Sequence, residues 1–263
     1  MPSHPPEIAA AFTALVETVT RLRRDCPWDR EQTSKSIMPF LIEEAYEVLE
    51  ALEAESPAEV RGELGDLLLQ ILLHAEMASE RGEFDVRDVI EAVRTKMVRR
   101  HPHVFGDLAV AGTNEMLVNW SRIKAQERRA ERKDASVLAG VPPSLPALLR
   151  AERLGEKAAR VRFDWAEPRA VLGKVREELA ELEQALASGA AADIESEIGD
   201  CLFALTSLAR KAGVSAELAL LRTLDRFVRR FRHIESELER QGRSAHDASP
   251  EEMEALWHEA KRR

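Results

Sequence analysis

Glu43-Glu44-Ala45-Tyr46-Glu47, followed by Glu63-Leu64-Gly65-Asp66, recurs 134 positions later as Glu177-Glu178-Leu179-Ala180-Glu181, followed by Glu197-Ile198-Gly199-Asp200. Glu44 and Glu47 are three apart, as are Glu63 and Asp66, so each pair shares one face of a helix. Ser56-Pro57 interrupts the first copy and Ser188-Gly189 the second, and each break reads as the turn of an αα-hairpin. Residues equidistant from such a turn lie opposite each other. The pairs 44/66 and 47/63 centre on position 55, and the pairs 178/200 and 181/197 centre on Gly189. The spacing therefore predicts a layer of four carboxylates between two packed helices in each copy. Such a layer is costly unless a cation neutralises it. Glu43 and Glu177 fall off the symmetry and are weaker ligand candidates.

Acids on helices ordinarily face water. Here Gly65 and Gly199 recur beside them inside apolar helices, where glycine costs about 1 kcal/mol relative to alanine. Their recurrence predicts a close backbone approach. Helix-bundle di-iron sites add a Glu-x-x-His pair, which neither copy has. Oxygen-only ligands suit a hard cation, so Mg2+ is expected, with Mn2+ as the alternative. His74 continues the stripe from Asp66, but about 12 Å further along the helix, and its counterpart is Leu208. It reads as a packing or surface residue.

The repeat divides the 263 residues into domains at 1–135 and 148–263, joined by a linker at 136–147 that contains Gly140-Val141-Pro142-Pro143-Ser144-Leu145-Pro146. Abundant Ala, Leu, Glu and Arg with few aromatics favours an all-α fold. A net charge of −9 argues against a general nucleic-acid binder. An anionic substrate must then be handled by metal ions and a local basic patch. Cys26 and Cys201, one per half, read as reduced thiols. The apolar stretch Leu67 to Leu73 is interrupted by Gln70 and too short to cross a bilayer, and the polar start carries no export signal. A soluble, cytoplasmic protein with no membrane partner is expected.

Helices are expected from about Pro6, from Pro39 through the first acids, and to Gly82 through the second. Another follows Asp85 as N-cap and ends at Pro102, and a last one follows Thr113 and fades into a mobile charge run at 127–134. The second half replays this order. A helix starts near Ala147, and a loop holds Phe163-Asp164-Trp165. Pro168 and Asp193 open the acidic helices, Ser215 caps a third, and Ser249 with Glu252 makes a capping box for the last. Lys96 to His103 corresponds to the basic run Arg226 to His233, and Trp120 and Lys124 to Trp257 and Lys261. Arg226, Arg229 and Arg230 are candidate phosphate contacts, since arginine grips oxygens in a fork. A single such run would read first as a solvated face, and its recurrence after the acids brings the phosphate reading level with it, while Trp257 reads equally as a base-stacking platform or as core. No Walker loop, Ser/His/Asp triad or Cys/His nucleophile pair is present.

The twice-occurring Glu-Glu-x-x-Glu and Glu-x-x-Asp, with Arg100-His101-Pro102-His103-Val104-Phe105 and Ser144-Leu145-Pro146-Ala147-Leu148, resembles the all-α nucleoside triphosphate pyrophosphohydrolases of the MazG family over nearly the whole chain. The resemblance implies tandem four-helix-bundle domains and a homodimer. It implies Mg2+-dependent hydrolysis of ribo- or deoxynucleoside triphosphates to monophosphates and pyrophosphate, in nucleotide-pool house-cleaning. By matching positions, Glu178, Glu181, Glu197 and Asp200 would hold the metal, with Glu44, Glu47, Glu63 and Asp66 as their first-domain equivalents. Lys174, Arg226, Arg230, Trp257 and Lys261 would contact nucleotide, and Glu177 or Glu178 could accept the proton of the attacking water. Pro102 cuts short in the first domain a basic helix that continues in the second, which makes the second the fuller site. The alternatives are a hydrolase narrow for one deoxynucleotide and a non-catalytic helical module that binds nucleotide or protein.

Overall fold

Both expected turns interrupt helices in the computed structural model, which describes residues 5–130, 134 and 136–262. Contacts divide the chain into two compact units, Met1–Ala111 and Gly112–Arg263. Within the first, α1 spans Pro5–Asp25, α2 Pro27–Glu31, α3 Met38–Glu53, α4 Pro57–Glu80, α5 Val86–Arg100 and α6 Pro102–Phe105. The second holds α7 Thr113–Ala130, α8 Ala147–Ala159, α9 Pro168–Ser188, α10 Ala191–Lys211, α11 Ala216–Arg240 and α12 Pro250–Ala260, with a short 3-10 turn at Ala245–Asp247. Among the described residues every regular element is helical, and no helix is long and apolar enough to cross a membrane. The charge run at 127–134 continues α7 as far as Ala130; residues 131–133 lie outside the described residues.

The sequence reading put the helix after Thr113 in the first domain, whereas the contacts group α7 with the second. One carbonyl in the second unit is shared by side chains of α7 and α8. The Arg128 guanidinium donates to the backbone oxygen of Ala139, and Lys157 Nζ donates to that same oxygen at 3.0 Å. This ties α7 to the segment that leads into α8.

In the first unit the α3–α4 hairpin closes through a three-residue turn in which Glu55 takes a left-handed φ of 52°. Apolar positions on α1 and α4 meet in a core of Val19, Ile37, Leu72, Leu73 and Met77, flanked by Phe12, Leu15 and Phe40. Arg23 is buried among them. Its guanidinium pairs with both Glu80 carboxylate oxygens, at 2.8 and 2.6 Å, and donates to the backbone oxygens of Asp29 and Gln32, so α2 is held by a satisfied charge. Asp85 caps α5 in a complete capping box. His74 is half-buried, and burial lowers its pKa, in line with a packing role.

The second unit repeats the hairpin with α9 and α10, Gly189 taking φ 73° at the turn. Its helices α8 and α11 pack on α10 and on each other, and α12 packs on α11. Val171, Val175, Cys201, Ala204, Ile234 and Leu238 are buried. The loop ahead of α9 is held by Asp164, which meets Arg210 Nη2 at 2.5 Å and Lys211 Nζ at 2.7 Å at the end of α10. The capping expectations hold in part. Ser215 stands at the N-cap of α11 without a side-chain cap, and Ser249 accepts from Glu252 N while the Glu252 carboxylate turns to Arg243. Helix α10 opens at Ala191, ahead of Asp193. The basic helix is 15 residues long in the first unit (α5) and 25 in the second (α11), the difference expected from Pro102.

The close approach expected at Gly65 and Gly199 is not met within the chain, because a Cβ added at either would touch nothing within 4 Å. Both lie on open faces of their helices. Both helices also carry matching exposed apolar residues: Leu64 and Ile71 are 50% and 42% exposed on α4, and their counterparts Ile198 and Leu205 are 46% and 48% exposed on α10.

Candidate metal and nucleotide sites

The α9–α10 hairpin places oxygens of Glu178, Glu197 and Asp200 within 4.8 Å of one another. Glu178 is 7% exposed, and Glu197 Oε2 is buried with no hydrogen-bond partner. Beneath them lies the Cys201 thiol, whose pKa is raised by burial and then by the charges of Glu178, Glu197 and Asp200. Glu181 stands next to Glu178. Its pKa is raised by desolvation, by a hydrogen bond with Glu178 and by that residue's charge.

Lys174, expected to touch nucleotide, reaches the acids. Its Nζ lies 2.6 Å from Glu177 Oε1 and 2.7 Å from Glu178 Oε1, bonds that raise its own pKa. The two acids are three and four residues along α9, so the spacing itself carried this signal.

In the first unit the tight group is Glu44, Glu47 and Glu63. The Glu44 pKa is raised by desolvation and then by Glu47, Asp66 and Glu63, with Gln70 pulling the other way. Glu63 is raised likewise, by desolvation and then by Glu47 and Asp66. All four predicted carboxylates thus sense one another, though the tightest three omit Asp66 here and Glu181 in the second unit. The position equivalent to Lys174 is Phe40, which packs against the apolar core.

Crowded carboxylates with an orphaned buried oxygen fit a hard dication. Only oxygen donors line the two groups, and the unpaired Glu197 Oε2 is the atom such an ion would satisfy.

The basic residues collect elsewhere in the second unit. Arg226, Arg229, Arg230 and Lys261 line a pocket of about 380 Å3 with His233 and Ala260. The Trp257 ring supports it, with Arg230 Cζ 5.5 Å and Lys261 Nζ 6.0 Å from its centroid and Phe227 tilted against it at 5.3 Å. Arg226 is steadied by a 2.7 Å bond to Thr223 Oγ1. Sequence reasoning missed the neighbour that joins the two pocket helices. His233 lies 3.7 Å from Glu237 through Nδ1 and 3.5 Å from Glu259 through Nε2, linking α11 to α12. The four-residue step from His233 to Glu237 was legible, but Glu259 arrives from another helix.

Tandem helical hairpins, each gathering carboxylates across its turn, define an all-α protein with a potential cation site in each hairpin and an arginine-lined pocket in the second unit. The MazG nucleotide pyrophosphohydrolase domain matches residues 32–105 and again 166–235, one match per hairpin. The chain belongs to the MazG family. It is 43% identical over 253 residues to the nucleoside triphosphate pyrophosphohydrolase of Escherichia coli (strain K12), covering 94% of this chain and 96% of that one. It is 39% identical over 257 residues to the nucleoside triphosphate pyrophosphohydrolase/pyrophosphatase MazG of Thermotoga maritima, covering 97% of each. It is also 44% identical over 254 residues to the uncharacterized protein YabN of Bacillus subtilis (strain 168), covering 95% of this chain and 51% of that one.

Proposed function

We propose that this chain hydrolyses nucleoside triphosphates, ribo or deoxy, to monophosphates and pyrophosphate in a Mg2+-dependent reaction centred on its second unit. The role would be nucleotide-pool house-cleaning. The observation that carries the reading is the Glu178–Glu197–Asp200 cluster with its buried, unpartnered oxygen. The family match and the names of the Escherichia coli and Thermotoga relatives support it.

Glu178, Glu181, Glu197 and Asp200 would hold the ion. When bound, Mg2+ or Mn2+ supplies Lewis acidity toward phosphate oxygens and lowers the pKa of water. Glu177, steadied by Lys174, or Glu178 would take the proton of the water attacking the α-phosphorus. Arg226, Arg229, Arg230 and Lys261 would take up phosphate charge, with Trp257 holding Arg230 in place. Glu44, Glu47, Glu63 and Asp66 would form a second cation site without an equivalent lysine. Incubation of the full chain with ATP and Mg2+ should release AMP and pyrophosphate. Release of ADP and orthophosphate would sink this assignment.

The same reading includes a homodimer. Exposed Ile198, Leu202 and Leu205 follow a helical step of four and three along α10, an apolar row that a second copy would cover. L202E/L205E should lower the mass measured by light scattering from dimer to monomer while leaving the helical circular dichroism signal intact. An unchanged mass would place the contact elsewhere.

A further inference from the structure

The second unit contains another cation-rich cavity that shares no residue with either site above. Lys124 and Arg128 on α7 and Lys157 and Arg160 at the end of α8 converge on a hollow of about 290 Å3 with an apolar wall that includes Val118 and Val161. A neighbouring lobe of about 300 Å3 shares Lys124, Lys157 and Arg160 with it. Among the described lining residues of the two lobes the carboxylate is Glu156, which Arg153 engages at 2.7 Å.

The cations are preset. Arg128 and Lys157 both donate to the backbone oxygen of Ala139, which fixes two flexible side chains on one point. Gly140, next along, has φ 79°, and a Cβ there would collide with the Arg128 guanidinium. The chain thus reserves that space for the arginine. Gathering these like charges is unfavourable, and the Lys157 pKa is lowered by desolvation and then by Arg128, Lys124 and Arg160. A polyanion bound among them would add an attraction to each cation that offsets their mutual repulsion.

We infer that this cavity binds a diphosphate group, carried either by free pyrophosphate or by a nucleotide, at a site separate from the Arg226–Arg230 pocket. Several convergent cations suit more than one phosphate, and guanidinium forks suit paired oxygens. The apolar wall of Val118 and Val161 would accept an uncharged portion of the ligand.

Calorimetric titration of the full chain in EDTA, with pyrophosphate and separately with a non-hydrolysable ATP analogue, identifies the carrier. Binding by at least one of them should weaken about tenfold or more in K157Q/R160Q and persist in R226Q/R230Q. V118W should also abolish it, by filling the hollow while every cation remains, which decides the matter if K157Q/R160Q does not fold. Heat from neither ligand in the wild type overturns the inference. So does binding that survives both K157Q/R160Q and V118W, or binding lost in R226Q/R230Q alone.

Discussion

Replacing Glu178 by Gln is expected to lower kcat/KM for triphosphate hydrolysis roughly a thousandfold, about 4 kcal/mol of transition-state stabilisation, because it removes one charge of the proposed ion-holding set. The fold should survive. Glu178 sits among other carboxylates, so neutralising it relieves repulsion as well as ending one bond to Lys174. A melting experiment separates the two effects. Mg2+ should raise the Tm of the wild type and do so less for E178Q, while the two proteins melt alike in EDTA. Glu44→Gln in the first unit should change turnover less than about threefold, given that the full basic pocket is in the second unit. Wild-type turnover by E178Q would remove the second hairpin from the chemistry.

Asp164→Asn should destabilise the second unit by about 2 kcal/mol and lower its melting transition by about 5 °C. The Asp164 carboxyl is 16% exposed and is held at about 2. Burial opposes its charge, but the bonds from Arg210 and Lys211 outweigh that effect. The folded pKa is depressed, so the stabilisation is complete above the unfolded value near 3.8 and is lost as pH falls through about 2. Urea melts should therefore show the same gap between wild type and D164N at pH 7 and pH 5, and about half of it at pH 3. A gap independent of pH would assign the effect to lost packing.

Local spacing made the hairpins legible. The turn at Ser188-Gly189 is a left-handed glycine ending a helix, and the facing acids follow from counting outward from it. Features set by distant partners were hidden. Asp164 looks like one more loop acid until Arg210, 46 residues later, closes on it. The Ala139 carbonyl is shared by Arg128 of α7 and Lys157 of α8, a tie that no helical period encodes. Gly65 and Gly199 show the opposite failure. Their pattern was plain, yet the partner it implied is absent from the chain's own contacts. The contacts of Lys174 with Glu177 and Glu178 follow directly from their i, i+3 and i, i+4 spacing.

The lysine at the second hairpin and the phenylalanine at the matching place in the first give the two halves different ways to live without an ion. Where Lys174 is present, an ammonium lies across the carboxylates and offsets part of their charge. Phe40 at the matching place carries no charge, and the Glu44 pKa is raised there by desolvation and then by Glu47, Asp66 and Glu63. Loading the second site then displaces a tethered cation, which Phe40 cannot supply at the first. The two acid layers, alike in their carboxylates, thus differ in the counter-charge each holds before an ion arrives.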